Sequence, residues 1–106
     1  MRPVVITTPG GAANTAAVPL DQYLTPFQVT VACVVNGTVA YSLQYTYDDV
    51  FNVAAGSVTW WTDSAIPVGT VANAETTYDN PIKAVRLSQA SGAGTVTMTV
   101  NQAGVR

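Results

Sequence analysis

The stretch of sequence that decides the fold is FQVTVACVVNGTVAYSLQYTY, residues 27–47. Within residues 27–35 every second residue is apolar, and large apolar residues alternate in the same way within residues 39–47. Alternation with a period of two is typical of β-strands that bury one face. Asn36-Gly37 between the two runs favours a tight turn. The stretch therefore predicts two strands joined by a short connection.

The loop length decides how these strands would pair. A two-residue Asn-Gly loop would put the two apolar faces on opposite sides of one sheet, because a one-residue slip turns every side chain over. A three-residue loop with Gly37 at positive φ instead pairs Cys33 with Val39 and Val31 with Tyr41. We predict this bulged hairpin, unless the two strands belong to different sheets.

The last third of the chain predicts a second hairpin. Residues 81–89 lead through the glycine-rich turn 91–94 into residues 95–100, where apolar residues alternate with threonines. An even loop pairs Leu87 with Val96 and Val85 with Met98. With a further strand at residues 57–62, the chain has several short strands separated by turn signals. This pattern predicts an all-β fold, a single-domain antiparallel β-sandwich that is jelly-roll-like.

The N-terminal segment differs in composition from the rest of the chain. Residues 8–19 are small, neutral and interrupted by two prolines, which favours an extended arm over residues 1–19 in front of a β-sandwich domain over residues 20–106. The apolar triplet Val4-Val5-Ile6 needs a docking place, so we interpret the arm as lying along a neighbouring subunit. A mobile tail is the alternative. Under the arm hypothesis, deleting residues 1–18 leaves the β-fold intact.

The charge content indicates protein contacts. Only 9% of the residues are charged, against roughly a quarter in an average soluble domain. Uncharged surface favours association with protein, including copies of the same chain. The four cations form no run that could follow a phosphate backbone, which argues against nucleic acid as a partner. No apolar run approaches the ~20 residues of a membrane span, and no secretory signal is evident, so we expect folding in a cytoplasm.

The residue types argue against catalysis, a cofactor or a metal. Without histidine, Ser-His and Cys-His mechanisms are excluded. The single cysteine, Cys33, lies on an apolar face and is expected to be a buried, unreactive thiol. Asp48 and Asp49 are adjacent and would face opposite sides of a strand, so turn hydrogen bonding is the favoured interpretation. A calcium site that draws on Asp48, Asp49, Asp63 or Asp79 is a weaker alternative, and so is a carboxylate-based hydrolase.

Trp60-Trp61 is the most distinctive aromatic feature. Neighbouring strand residues face opposite sides, so one indole is expected to enter the core and the other to serve as a contact anchor for a protein or a sugar ring. Burial of both under loops is the alternative. Further tyrosines could extend an aromatic patch: Tyr23, Tyr45, Tyr47 and Tyr78. The predicted partner-binding residues are Val4, Val5, Ile6, Trp60 and Trp61.

The order of these features resembles small virion structural proteins of tailed bacteriophages. The stretches that carry the resemblance are PLD at 19–21, PFQVTV at 26–31, QYTYDDVF at 44–51, VTWW at 58–61 and NPIKAVRL at 80–87. The resemblance implies a capsid decoration or cement protein that binds the major capsid protein and itself on the exterior of the virion. A phage tail or head–tail component is the near alternative. A carbohydrate- or receptor-binding module that uses Trp60 or Trp61 is an alternative of a different class.

Overall fold

The computed structural model describes residues 4–20 and 25–105 of the chain. These residues form nine β-strands and one short 3₁₀ turn, Ala55–Ser57. The strands are β1 (Val4–Thr7), β2 (Ala13–Asn14), β3 (Val18–Pro19), β4 (Thr25–Asn36), β5 (Ala40–Thr46), β6 (Trp61–Thr62), β7 (Ala74–Tyr78), β8 (Ala84–Ser91) and β9 (Thr95–Val105).

The strands form two antiparallel sheets packed face to face. Sheet 1 has the strand order β1-β9-β4-β7, and sheet 2 has the order β2-β8-β5-β6 with β3 also paired to β8. The long strands β4 and β9 pair along most of their length in sheet 1, and β5 pairs with β8 in sheet 2. The all-β antiparallel sandwich that the alternation predicts is confirmed.

The core lies between the inner faces of the two sheets. Sheet 1 contributes the alternate apolar residues of β4 and β9, and Cys33, which is 1% exposed, lies opposite Met98. Sheet 2 contributes Tyr41, Leu43 and Leu87, all fully buried. Burial raises the pKa of the Cys33 thiol to about 11. The expectation of a buried thiol at Cys33 is confirmed.

The predicted pairing of the first hairpin is wrong, and the stated exception applies. β4 belongs to sheet 1 and β5 to sheet 2, so Val31 pairs with Val100 and Tyr41 with Gln89. The connection, in which Gly37 has φ 89°, therefore crosses from one sheet to the other. The apolar faces of β4 and β5 therefore lie opposite each other across the core. Both faces are buried in this arrangement, and no bulge in the connection is needed.

The predicted pairing of the second hairpin is wrong for the same reason. β8 lies in sheet 2 and β9 in sheet 1, so Leu87 pairs with Leu43 and Val96 with Val35. The 91–94 turn also crosses between the sheets. The alternation correctly predicted which face of each strand is buried. It did not predict the partner strand, because the same alternation results when the apolar faces meet across the sandwich and when the two strands pair within one sheet.

The two crossing turns meet at one end of the sandwich. The Gly94 N–H donates to the Thr38 carbonyl at 3.0 Å. The Gln89 side chain, 2% exposed, donates through Nε2 to the carbonyls of Gly92 and Gly94, both at 3.0 Å. Gly92 has φ 100°, and a Cβ there would lie 2.3 Å from the Thr38 carbonyl oxygen. The turn therefore requires glycine at this position.

The N-terminal segment is extended, as predicted, but it lies on the sandwich of its own chain. β1 is an edge strand of sheet 1, with Val4 opposite Val100 and Ile6 opposite Met98. β2 and β3 pair with β8, and Val18 is part of the core. The apolar triplet thus finds its docking place within the chain, because β9 would otherwise present an unpaired edge. Residues 1–3 of the predicted arm and residues 21–24 and 106 of the predicted domain lie outside the described residues.

Two buried threonines attach this segment to the sheets. Thr8 donates its N–H to the Val96 carbonyl at 2.9 Å, and its Oγ1 accepts the Val96 N–H at 2.9 Å. Thr15 makes the same reciprocal pair with Leu87, at 2.9 and 3.0 Å. In each case the threonine hydroxyl accepts the backbone N–H hydrogen bond that a backbone carbonyl would accept in a regular pair of β-strands. The expectation that deleting residues 1–18 leaves the fold intact therefore conflicts with the structure.

Candidate functional site

The five predicted partner-binding residues do not form one surface. Val4 and Ile6 are half-buried against the core, whereas Val5 is 62% exposed on the outer face of sheet 1. Trp60 and Trp61 belong to the region of sheet 2, and neither is part of the buried core. The expectation that one indole enters the core is therefore wrong. The reason is that Trp60 lies on the outer face of sheet 2, against Arg86, and Trp61 lies in the two-residue edge strand β6.

Trp60 is held over the outer face of sheet 2 by the loop of residues 47–60. Thr46 Oγ1 donates to the Thr59 carbonyl at 2.8 Å, and Asp48 Oδ2 accepts the Thr59 N–H at 2.7 Å. Asp49 accepts the Phe51 N–H at 3.0 Å and an Asn52 amide hydrogen bond at 2.6 Å. These bonds hold the pKa of Asp49 below its ordinary value. The turn role predicted for the two aspartates is confirmed for Asp49, whereas the Asp48 carboxylate instead joins the two ends of the loop through the Thr59 N–H.

Arg86 of β8 packs against Trp60. Its guanidinium carbon lies 4.3 Å from the centre of the indole ring, a cation–π contact. Its Nε donates to Gln44 Oε1 at 2.7 Å, and the two residues are cross-strand partners. Partial burial lowers the pKa of Arg86 from its ordinary value. Sequence reasoning missed this residue because the contact depends on the register between β5 and β8.

A cavity of about 230 Å³ opens beside this pair. Thr15 of the N-terminal segment lies at its wall, and its hydroxyl is already bonded to the Leu87 N–H and the Ala16 carbonyl. The rest of the wall is apolar apart from one guanidinium: Ala16, Ala17, Val50, Val58, Trp60 and Arg86. The cavity forms where the N-terminal segment and the 47–60 loop both lie over sheet 2, so no single stretch of sequence encodes it.

Tyrosines gather where β5, β6 and β7 end. The Tyr45 ring lies 5.7 Å from Tyr47 and 5.5 Å from Tyr78, and Trp61, 52% exposed, is the cross-strand partner of Tyr45. The predicted aromatic patch thus includes Tyr45, Tyr47 and Tyr78, while Tyr23 lies outside the described residues.

Asp63 lies beneath this patch at 7% exposure. Its Oδ2 accepts the Tyr78 O–H, and its Oδ1 accepts the Ala65 N–H at 2.7 Å. Burial, followed by the bond and the negative charge of Asp63, raises the pKa of Tyr78 above its ordinary value. Both carboxylate oxygens are thus engaged in holding the fold. Residues 4–20 and 25–105 contain no cluster of three or more potential metal ligands.

The outer face of sheet 1 is rich in threonine and carries little charge; we call it the threonine face. It is made of Val5, Thr7, Gln28, Thr30, Ala32, Val34, Glu75, Thr77, Thr95, Thr97, Thr99 and Asn101, which alternate with the core residues of their strands. Val5 and Val34 are 62% and 55% exposed. Glu75 is its only charged side chain among the described residues. The alternating threonines of residues 95–99 are the sequence signal for this face.

The outer face of sheet 2 is different, because part of it is covered. Thr46 and its cross-strand partner Ala84 are both 0% exposed although they point away from the core. The 47–60 loop folds over this side, as the bond from Thr46 to Thr59 shows. The threonine face is therefore the broad sheet surface that the described residues leave open. None of the described residues form a helix long and apolar enough to cross a membrane.

No protein-family model and no curated protein matches the sequence. Solved structures with a similar fold include a chain of the Bacillus endospore appendages, which form a family of disulfide-linked pili. It is 18% identical, with a TM-score of 0.54 over 99% of this chain and 87% of that one. Another is the Clostridium thermocellum endo-1,4-β-D-xylanase 10B, solved as CBM22-1 and GH10 modules with xylohexaose. It is 13% identical, with a TM-score of 0.46 over 85% of this chain and 19% of that one. The first likeness shows a shared β-rich fold.

Proposed function

We propose that this chain is a non-enzymatic structural subunit of a protein assembly, and that its specific role is capsid decoration. In this proposal the subunit binds the major capsid protein on the exterior of a phage virion and associates with copies of itself. The threonine face is the observation that supports the proposal. A threonine-rich sheet surface with two exposed valines and one charged side chain, Glu75, can be buried against protein with little charge to desolvate, which favours tight packing.

A pair of matched variants tests the contact surface. Val34→Lys puts a charge into the threonine face, and Val71→Lys puts the same charge at a site of similar exposure, 67%, in the connection between β6 and β7. We expect Val34→Lys to weaken co-sedimentation with capsid shells at least about tenfold, because burying a lysine charge in a protein contact is costly. Val71→Lys is expected to bind as the parent does. Equal binding by all three proteins would contradict the assignment of the threonine face.

The copy number of the chain in gradient-purified particles tests the location. A ratio near that of the major capsid protein supports a decoration subunit. A few copies per particle would instead assign the chain to the tail or the head–tail connector. Absence from particles would refute the virion proposal altogether.

A subunit of an extracellular fibre is the second candidate. It is favoured by the likeness in fold to the Bacillus appendage chain, which extends over 99% of this chain. Disulfide linkage through Cys33 is not part of this candidate, because that thiol is 1% exposed and its pKa is raised to about 11. Negative-stain microscopy of the concentrated protein separates the candidates: filaments in the absence of capsid shells support a fibre, and their absence supports decoration.

A further inference from the structure

The cavity beside Trp60 contains a cation without a counter-charge. No carboxylate among the described residues forms an ion pair with Arg86, whose bonds there are the Nε donation to Gln44 and the contact with the Trp60 ring. Its two terminal nitrogens therefore have no protein partner among those residues. An arginine that is partly desolvated and fixed in orientation is well suited to bind an anion, because little further ordering is needed.

The remaining walls define what the anion must carry. Ala16, Ala17, Val50 and Val58 present methyl groups, and the Thr15 hydroxyl is already occupied by backbone partners. A neutral sugar would bring several hydroxyls to walls that offer them few partners. Inorganic phosphate has no apolar part with which to fill the site. A carboxylate on a compact apolar body matches both the single cation and the methyl-lined space.

We propose that the cavity between the N-terminal segment and the 47–60 loop binds a small apolar carboxylate, with the carboxylate on Arg86 and the apolar body against Val50 and Val58. The site faces away from the threonine face, since it lies on sheet 2 and that face lies on sheet 1. Ligand binding in the cavity can therefore be tested independently of the assembly contact proposed above. The ligand is either a free organic acid or the C-terminal carboxylate of a polypeptide that ends in an apolar residue.

Benzoate and hexanoate are the probes, and benzamide is the neutral control of nearly equal shape. Titrations followed by NMR at pH 7 are expected to give saturable shifts of the Trp60 indole N–H and the Ala16, Ala17 and Val58 methyls. Benzamide is expected to bind at least about tenfold more weakly, because it cannot form a charge-assisted bond with Arg86. Equal binding of benzoate and benzamide, or no saturable shift with either acid, would overturn the proposal.

Variants locate the charge. Arg86→Met removes the cation but keeps the aliphatic stem, and we expect it to weaken benzoate binding about tenfold or more. Arg86→Lys is expected to retain part of the affinity. Lys83→Gln is the matched control, since it removes the same charge from the residue just before β8 and leaves the cavity walls unchanged. Loss of binding in Lys83→Gln equal to that in Arg86→Met would overturn the assignment. The comparison of benzoate with benzamide needs no variant and stands even if Arg86→Met fails to fold.

Short peptides distinguish the two sources of the ligand. A tetrapeptide that ends in leucine with a free carboxylate is compared with its C-terminal amide. Binding of the free acid but not of the amide supports a polypeptide terminus as the ligand. Exclusion of both peptides, with benzoate still bound, supports a free organic acid. Equal binding of the acid and the amide at the cavity would contradict recognition of a carboxylate.

Discussion

The two threonine attachments of the N-terminal segment give a sharp test of the fold. In Thr8→Val or Thr15→Val the side chain keeps its shape but loses the hydroxyl, so the buried N–H of Val96 or Leu87 loses its acceptor. An unsatisfied buried donor costs about 1–3 kcal/mol. For a chain of this size, each kcal/mol lowers Tm by about 4–8 °C. We expect each variant to lose stability in this range.

Urea unfolding followed by fluorescence measures the change in unfolding free energy. An unchanged m-value would show that the folded and unfolded states are as compact in the variant as in the parent. Thr8→Ser and Thr15→Ser keep the acceptor and are expected to lie closer to the parent than the valine variants do. The two sites attach to different sheets, so their effects should add within about 0.5 kcal/mol. Valine variants within about 0.5 kcal/mol of the parent, or serine variants as unstable as valine ones, would refute the role of the hydroxyls.

Three further predictions concern the turns, the core and the N-terminal segment. Gly92→Ala is expected to cost about 2 kcal/mol or more in urea unfolding, because its Cβ would meet the Thr38 carbonyl at 2.3 Å and φ is positive. Stability is expected to fall as pH rises from about 9 to 11, because the Cys33 thiol ionises near its ordinary pKa of 9.0 when unfolded but near 11 when folded. This two-unit difference is worth up to about 3 kcal/mol. Deleting residues 1–18 is expected to abolish the native near-UV circular dichroism, since it removes β1, β2 and Val18.

Each of these predictions has its own control. Gly56→Ala has open space around the new Cβ and should change stability by less than about 0.5 kcal/mol. In Cys33→Ala the slope of unfolding free energy against pH between pH 9 and 11 should become shallower, by the equivalent of up to one proton. An unchanged slope would mean that groups other than Cys33 cause the loss of stability. Tyr41, whose pKa is raised from 10.0 to about 12, is expected to add to this loss from about pH 10 upward. A truncated chain with the parent's spectrum and Tm would show that the N-terminal segment is dispensable for folding.

The sequence predicted the positions of the long strands and their buried faces, but not their partners. A period of two reports which side of a strand meets the core, and this holds equally for a partner in the same sheet and for one across the sandwich. Asn36-Gly37 and residues 91–94 are good turn sequences in either arrangement. For the first turn, the bulged hairpin and the crossing connection both bury the two apolar faces, so burial did not decide between them.

The N-terminal segment was misjudged because its residues are small. Gly10 and Gly11 and the alanines after them bury little surface, which is the composition expected of a linker. The attachment depends on the two hydroxyls of Thr8 and Thr15, and nothing in their neighbourhood distinguishes them from exposed threonines. The cavity was missed for a related reason, since it forms only where the N-terminal segment and the 47–60 loop both lie over sheet 2.

The order of strands in space has a consequence for the time at which the protein can fold. β9, which lies near the C-terminal end, is an inner strand of sheet 1 and pairs with both β1 and β4. Of the strands that follow one another along the chain, only β5 and β6 pair directly in the described sheets. Closing such distant pairs makes folding slow, and while the chain is being synthesised the edge of β4 that pairs with β9 lacks its partner. Newly made chains are therefore most exposed to aggregation during the interval before residues 95–105 leave the ribosome.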